Sequence, residues 1–114
     1  MRRLEKIFKA LGDRNRLRIL KILEVKPMCV CEITEILGIA QPSVSRHLGI
    51  LRDAGFITDE KDGLWVNYSL SEMEDDVITP LLNDLRGWEL SDGRFLEDKR
   101  KAGLVDRDVI CRRP

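Results

Sequence analysis

The feature that most constrains this chain is a run of punctuation between residues 31 and 70. Gly38 closes a short apolar segment, Gln41-Pro42 opens another, Gly55 closes that one, and Asp62-Gly63 divides the alternating stretch that follows. Proline suits the first helical position, where its missing N–H has no partner to lose, and glycine suits the position just past a helix end. The spacing predicts a helix over Cys31–Leu37, a turn Gly38-Ile39-Ala40, and a second helix that starts at Gln41, turns Val44, Leu48 and Leu51 inward, and ends at Gly55. Beyond it, Leu64, Val66, Tyr68 and Leu70 alternate with Trp65, Asn67 and Ser69, the period of a half-buried strand. Asp62-Gly63 is a two-residue hairpin signal of the type I′ kind. Two helices joined by a short turn make a helix-turn-helix, and a hairpin straight after supplies a wing. The expected fold is mainly α with a β-hairpin wing, a winged helix-turn-helix.

The flanks read as further helices. Leu4, Ile7, Phe8 and Leu11 fall at i, i+3, i+4 and i+7, Gly12 ends that helix, and Asp13 caps the next, which carries Leu17, Leu20 and Leu23 and stops near Pro27. Ser71-Glu72-Met73-Glu74 matches a capping box, and Thr79-Pro80 offers a fresh start a little later. Val77, Ile78, Leu81, Leu82, Leu85 and Trp88 form a wide apolar stripe, and Leu81, Leu82, Leu85 and Trp88 present more apolar surface than a small monomer usually leaves exposed, which predicts a homodimer. From Ser91 onward the chain is polar with charges of both signs, and partial order is expected there. The division is a winged helix-turn-helix DNA-binding and dimerisation domain over 1–90 and a polar C-terminal tail over 91–114.

A chain of 114 residues is one domain in size. No apolar stretch approaches the roughly 18 to 20 residues that span a bilayer, and no apolar run follows Met1-Arg2-Arg3 to make a signal peptide. The expected compartment is the cytoplasm, with no membrane partner, and there three cysteines are reduced thiols rather than a disulfide framework. One histidine and no glycine-rich phosphate loop leave no visible nucleophile–base pair, so an enzyme is not expected and no cofactor is required. The net charge is +0 but strongly divided. Residues 1–26 hold nine basic against three acidic side chains, or +6, and residues 72–98 hold two against nine, or −7. A basic end of this kind attracts phosphates while the total stays at zero.

The helix from Gln41 is the candidate reading element. In this motif the second helix enters the major groove with its N-terminal residues nearest the base edges. Gln41, Ser43, Ser45, Arg46 and His47 stand there, all able to hydrogen-bond bases or phosphates, and no acidic residue occurs between Gln41 and Arg52. Lys61 in the wing is a candidate phosphate contact, though Asp59, Glu60 and Asp62 surround it. These residues point to double-stranded operator DNA as partner. The rival from another class is a winged-helix protein-interaction module without DNA binding, which the near-neutral total charge would fit.

Three segments together closely resemble the arsenical-resistance repressors of the ArsR/SmtB family. They are Ala10-Leu11-Gly12-Asp13-Arg14-Asn15-Arg16-Leu17-Arg18-Ile19-Leu20, Cys29-Val30-Cys31-Glu32-Ile33, and Gln41-Pro42-Ser43-Val44-Ser45-Arg46-His47-Leu48-Gly49-Ile50-Leu51-Arg52-Asp53-Ala54-Gly55. The resemblance spans about residues 4–90. It implies a homodimer joined by the first and last helices, here residues 3–11 and roughly 78–90, repression by occupying an operator, and release when an ion binds. Cys-Val-Cys followed by an acid is typical of the thiol-sensing branch. The chain departs from that branch where a third cysteine often follows three residues after the second, since Thr34 stands there. It also has no cysteine before Cys29 and no histidine on the last helix, which the related cadmium, lead and zinc sensors use.

The cysteines themselves point the same way. On a regular helix, residues i and i+2 lie about 200° apart and cannot grip one ion, whereas in extended backbone they share a side. Pro27 favours extended backbone just before Cys29, so a soft ion is expected to bind Cys29 and Cys31 where chain becomes helix, and to distort the first turn. Thiolates select soft ions. Trivalent arsenic, supplied as arsenite, or antimony as antimonite, accepts two or three sulfurs, whereas zinc normally wants four ligands. Cys111, in the tail, is the natural third thiol, whether within the chain or across a dimer. The alternatives are cadmium, lead or zinc on the same fold, or a thiol-oxidation switch.

Overall fold

A computed structural model of the chain describes residues 2–88 and 92–106. The order is α1 (Arg2–Leu11), α2 (Arg14–Leu23), β1 (Met28–Cys29), α3 (Val30–Leu37), α4 (Gln41–Ala54), β2 (Ile57–Asp62), β3 (Trp65–Leu70), α5 (Ile78–Gly87) and α6 (Gly93–Ala102). The local signals act largely as expected. Asp13 caps α2, its Oδ1 accepting from the backbone N–H of Asn15 at 2.8 Å and of Arg16 at 3.1 Å. Gly38 and Gly55 end α3 and α4 in the left-handed conformation, at φ 70° and 98°, which a side chain rarely tolerates. Ile19, Leu20, Ile22, Ile33, Ile36, Val44, Leu48, Leu51 and Phe56 close the core between α2, α3 and α4. Helix-turn-helix and wing are both present, so the winged helix-turn-helix expectation holds.

Several local expectations are corrected. The sheet has three strands, not two, in the order β1-β3-β2 and antiparallel throughout. Met28 pairs with Tyr68 and Cys29 with Asn67, which roots the wing beside α3. The hairpin loop is Gly63-Leu64, because Asp62 already pairs with Trp65. Gly63 has φ 63°, and no non-glycine among the described residues has a positive φ. A type I′ turn needs it at both central residues, and glycine at the first alone is the II′ pattern. Ser71 does not start a helix. Asp75 does that work, its Oδ1 accepting from Val77 and Ile78 at 2.9 Å each, with Thr79 Oγ1 accepting from the Asp75 N–H at 2.9 Å. The Ile78 N–H first, and then Arg3 of α1, bring the Asp75 carboxyl down to about 2.

The region expected to show only partial order contains α6, which packs on α2 and α3. Phe95, Asp98 and Ala102 fall at i, i+3 and i+7 on its inner side, and the middle member is a carboxylate, which hid the stripe. Asp98 meets Arg18 in a forked pair, Nε to Oδ2 at 2.7 Å and Nη2 to Oδ1 at 3.0 Å, with both side chains buried. Arg18 also donates to the Leu37 carbonyl at 3.2 Å and to Asn15 Oδ1 at 3.1 Å. At the other end of α6, Lys26 Nζ donates to the Val105 carbonyl at 2.8 Å. Among the described residues, no helix is long and apolar enough to cross a membrane.

Candidate nucleic-acid interface and thiol site

The candidate reading face follows from the period of α4. Val44, His47, Leu48 and Leu51 are buried at i, i+3, i+4 and i+7, which leaves Gln41, Ser45 and Arg46 exposed and Ser43 half-buried at the flank. Pro42 brings no N–H, Ala40 offers no side-chain cap, and the first turn holds no acid, so the positive end of the helix dipole stands open. A Cβ on Gly49 would meet nothing within 4 Å, so there is open space beside the helix there. Lys61 is exposed on β2, where strand residues Thr58–Asp62 all face solvent. Part of the acid around it is offset: Arg52 Nη1 donates to Asp59 Oδ2 at 3.1 Å.

His47 does not join that face. It is 5% exposed and takes a hydrogen bond at Nδ1 from Arg16 Nη1 at 3.1 Å. Arg16 Nε and Nη2 meanwhile donate to the carbonyls of Ala10 at 2.8 Å and Lys9 at 3.1 Å. In this conformation His47 ties α4 to α1 and α2 rather than reaching a base, a place its i+3 spacing from Val44 already carried. Burial first, then the Arg16 and Arg46 charges against the pull of Asp13, push the His47 ring down from its usual value. The folded ring therefore resists a proton that the unfolded chain accepts near pH 6.5. Stability from this group is complete above that pH and falls as pH drops below it. In urea titrations from pH 7 to 5, the parent should lose more stability than His47→Gln, which carries no titration; equal losses would remove His47 from the account.

The candidate thiol site sits where β1 becomes α3. Cys29 is extended, at φ −87° and ψ 170°, and is the N-cap of α3. Its N–H donates to Glu32 Oε1 at 3.0 Å, and the Glu32 N–H answers at the thiol, a capping box with sulfur in the place of a hydroxyl. The Cys29-x-x-Glu32 spacing was the signal for it. Cys31 lies one residue into the helix and is half-buried, while Cys29 is buried, and both are free thiols. Burial first, with the Glu32 charge, pushes the Cys29 thiol up. Burial first, and then the Cys29 thiol, pushes Cys31 up. Among the described residues, no group of three or more His, Cys, Asp or Glu side chains is placed to hold a metal ion. Cys111 lies outside the described residues. Beside the thiols, a cleft of about 390 Å³ is lined by Lys26, Pro27, Glu32, Asn67, Leu104, Val105 and Asp106.

A reading helix open at its positive end, a supporting helix behind it and a wing beside it define a winged helix-turn-helix protein. Residues 13–59 match the family described as bacterial regulatory protein, arsR family. Over 75 residues the chain is 43% identical to the arsenical resistance operon repressor of Bacillus subtilis (strain 168), covering 65% of this chain and 71% of that protein. Over 66 residues it is 46% identical to the arsenical resistance operon repressor of Escherichia coli (strain K12), covering 57% of this chain and 56% of that one. The chain thus spans little more than half the length of the E. coli protein. The solved homodimeric winged helix-turn-helix DNA-binding domain of Mb0332 from Mycobacterium bovis superposes with a TM-score of 0.64 at 21% identity, over 74% of this chain and 75% of that one, a likeness of fold. The chain belongs to the arsR family of bacterial regulatory proteins.

Proposed function

We propose that the protein is a homodimeric repressor that occupies operator DNA and leaves it when trivalent arsenic, or antimony, binds Cys29 and Cys31. The observation that carries this reading is the placement of two neighbouring thiols at the strand-to-helix junction that supports the reading helix. Drawing both sulfurs onto one ion pulls Cys31 against the first turn of α3 and Cys29 against its pairing with Asn67 and its cap at Glu32. Because α3 packs on α4, a shift in that turn reaches the DNA face directly. The two thiols also bear on the choice of ion. A divalent cation must expel their protons to solvent. Arsenous acid takes them as it leaves hydroxides behind as water. Relatives that are arsenical resistance operon repressors support the same choice.

Leu82 and Leu85, expected to be exposed, are buried within the protomer's own core, so dimerisation is proposed instead from exposed apolar surface on α1 and at the end of α5. Leu4 and Phe8, one turn apart, stay outside the core that takes Ile7 and Ala10, and Trp88 is exposed beyond Gly87. Two reading helices then meet half-sites spaced by turns of the duplex. Each places Gln41, Ser43, Ser45 and Arg46 in the major groove, with Lys61 at a phosphate and His47 holding the helix from behind. Arg46→Ala should weaken operator binding by about 1–3 kcal/mol if Arg46 reads a base. The measurement is an electrophoretic shift on the protein's own upstream DNA. No shift for the parent would favour the protein-interaction alternative, and a parent-like Arg46→Ala would remove the residue from the reading set.

A further inference from the structure

One turn beyond Cys31 on α3, the side-chain oxygen of Thr34 is buried and has no hydrogen-bond partner among the described residues. A buried, unsatisfied hydroxyl is costly, and threonine in a helix usually escapes the cost by bonding the carbonyl a turn back. Thr34 does not. Helical side chains lean toward the N-terminus, so Thr34 covers the turn that holds Val30 and Cys31, with about 5–6 Å between the β-carbons of residues i and i+3. The vacant hydroxyl thus belongs to the residue one helical turn beyond Cys31, a neighbour of Cys31 on the same side of α3.

The chemistry of a two-thiolate site supplies its partner. When arsenous acid meets two thiols, two As–S bonds form and two As–O bonds break. Two waters leave with the thiol protons, and arsenic stays trivalent. One hydroxyl remains on the arsenic. We infer that the Thr34 hydroxyl hydrogen-bonds this remaining As–OH, so that the site selects arsenic bearing an oxygen at its third position. The inference rests on the proposed binding of arsenic by Cys29 and Cys31. It assigns oxygen rather than the sulfur of Cys111 to the third position.

Phenylarsine oxide separates the possibilities, because its hydrate loses both hydroxyls to the two thiols and its third position is carbon. Arsenite and phenylarsine oxide would be titrated calorimetrically into the parent, Thr34→Val, Thr34→Ser, Cys111→Ser and Cys29→Ser. Thr34→Val should bind arsenite roughly fivefold more weakly, the worth of about one net hydrogen bond, and phenylarsine oxide as the parent does. Its ligand-free form should melt at or above the parent's temperature, since an unpaired buried hydroxyl has gone. Thr34→Ser and Cys111→Ser should match the parent. Equal weakening of both ligands in Thr34→Val, unchanged arsenite binding in it, or a loss confined to arsenite in Cys111→Ser would each overturn the inference. Parent-like binding of both ligands by Cys29→Ser would overturn the thiol-pair reading beneath it.

Discussion

Cys29→Ser and Cys31→Ser should each hold operator DNA as tightly as the parent and stay on it when arsenite is added. The parent should lose about 5–150-fold in DNA affinity, the usual range of coupling between two sites. The substitutions are mild for the fold. Serine is a favoured N-cap, so the Cys29→Ser protein would keep the reciprocal cap with Glu32 that the thiol makes now. Position 31 is half-buried on the first turn, and serine fits there without strain. Only the soft ligand is lost, because an arsenic–oxygen bond to serine exchanges with water where an arsenic–sulfur bond persists. Fluorescence anisotropy of a labelled operator, with arsenite titrated into the complex, reads the effect directly. Cys111→Ser should release as the parent does. Parent-like release by both Cys29→Ser and Cys31→Ser would show that the trigger lies elsewhere.

How much of this was legible follows from how local each signal is. Gly38, Pro42 and Gly55 act on their own backbone, so the helix-turn-helix could be placed to within a residue. Pro27 is local in the same way, and the chain at Cys29 is extended as it implied. What was missed depends on partners far along the chain. A two-residue strand such as β1 has no period of its own, and it exists because Tyr68 and Asn67 lie beside it. Asp98 reads as a solvated charge until Arg18, eighty residues earlier, is set against it. His47 was misplaced for a different reason. Its chemistry suited DNA, but its spacing from Val44, Leu48 and Leu51 put it on the inner stripe, and spacing prevailed. Ser71 had the letters of a capping box, yet Asp75 supplied the better cap four residues on.

Asp98→Ala should cost more stability than any substitution at the thiol site or on the reading face. The Asp98 carboxylate is 1% exposed and Arg18 is 3% exposed, so removing the carboxylate strands a guanidinium away from water. Breaking a buried pair from one side typically costs about 3–5 kcal/mol. Two features decide whether the full cost appears. Arg18 retains Leu37 O and Asn15 Oδ1, which satisfy part of its fork but bring no negative charge. Against that, α6 is a short helix, the last among the described residues, and lifting it away lets water reach Arg18 at the cost of exposing Ala102 and its neighbours. If α6 stays docked, urea unfolding should show a lower midpoint with an unchanged slope. If α6 lifts, the slope should fall as well, because the folded state has already exposed surface. Arg18→Met combined with Asp98→Leu replaces the pair by apolar groups of similar size and should recover most of the loss, as buried pairs do when both charges go together. Arg18 also holds the last carbonyl of α3, directly before the Gly38 turn into the reading helix. A lifted α6 should therefore weaken operator binding in Asp98→Ala even at temperatures where the protein remains folded. A stability within about 0.5 kcal/mol of the parent, the range of ordinary surface substitutions, would mean that α6 is not held to the core by this pair.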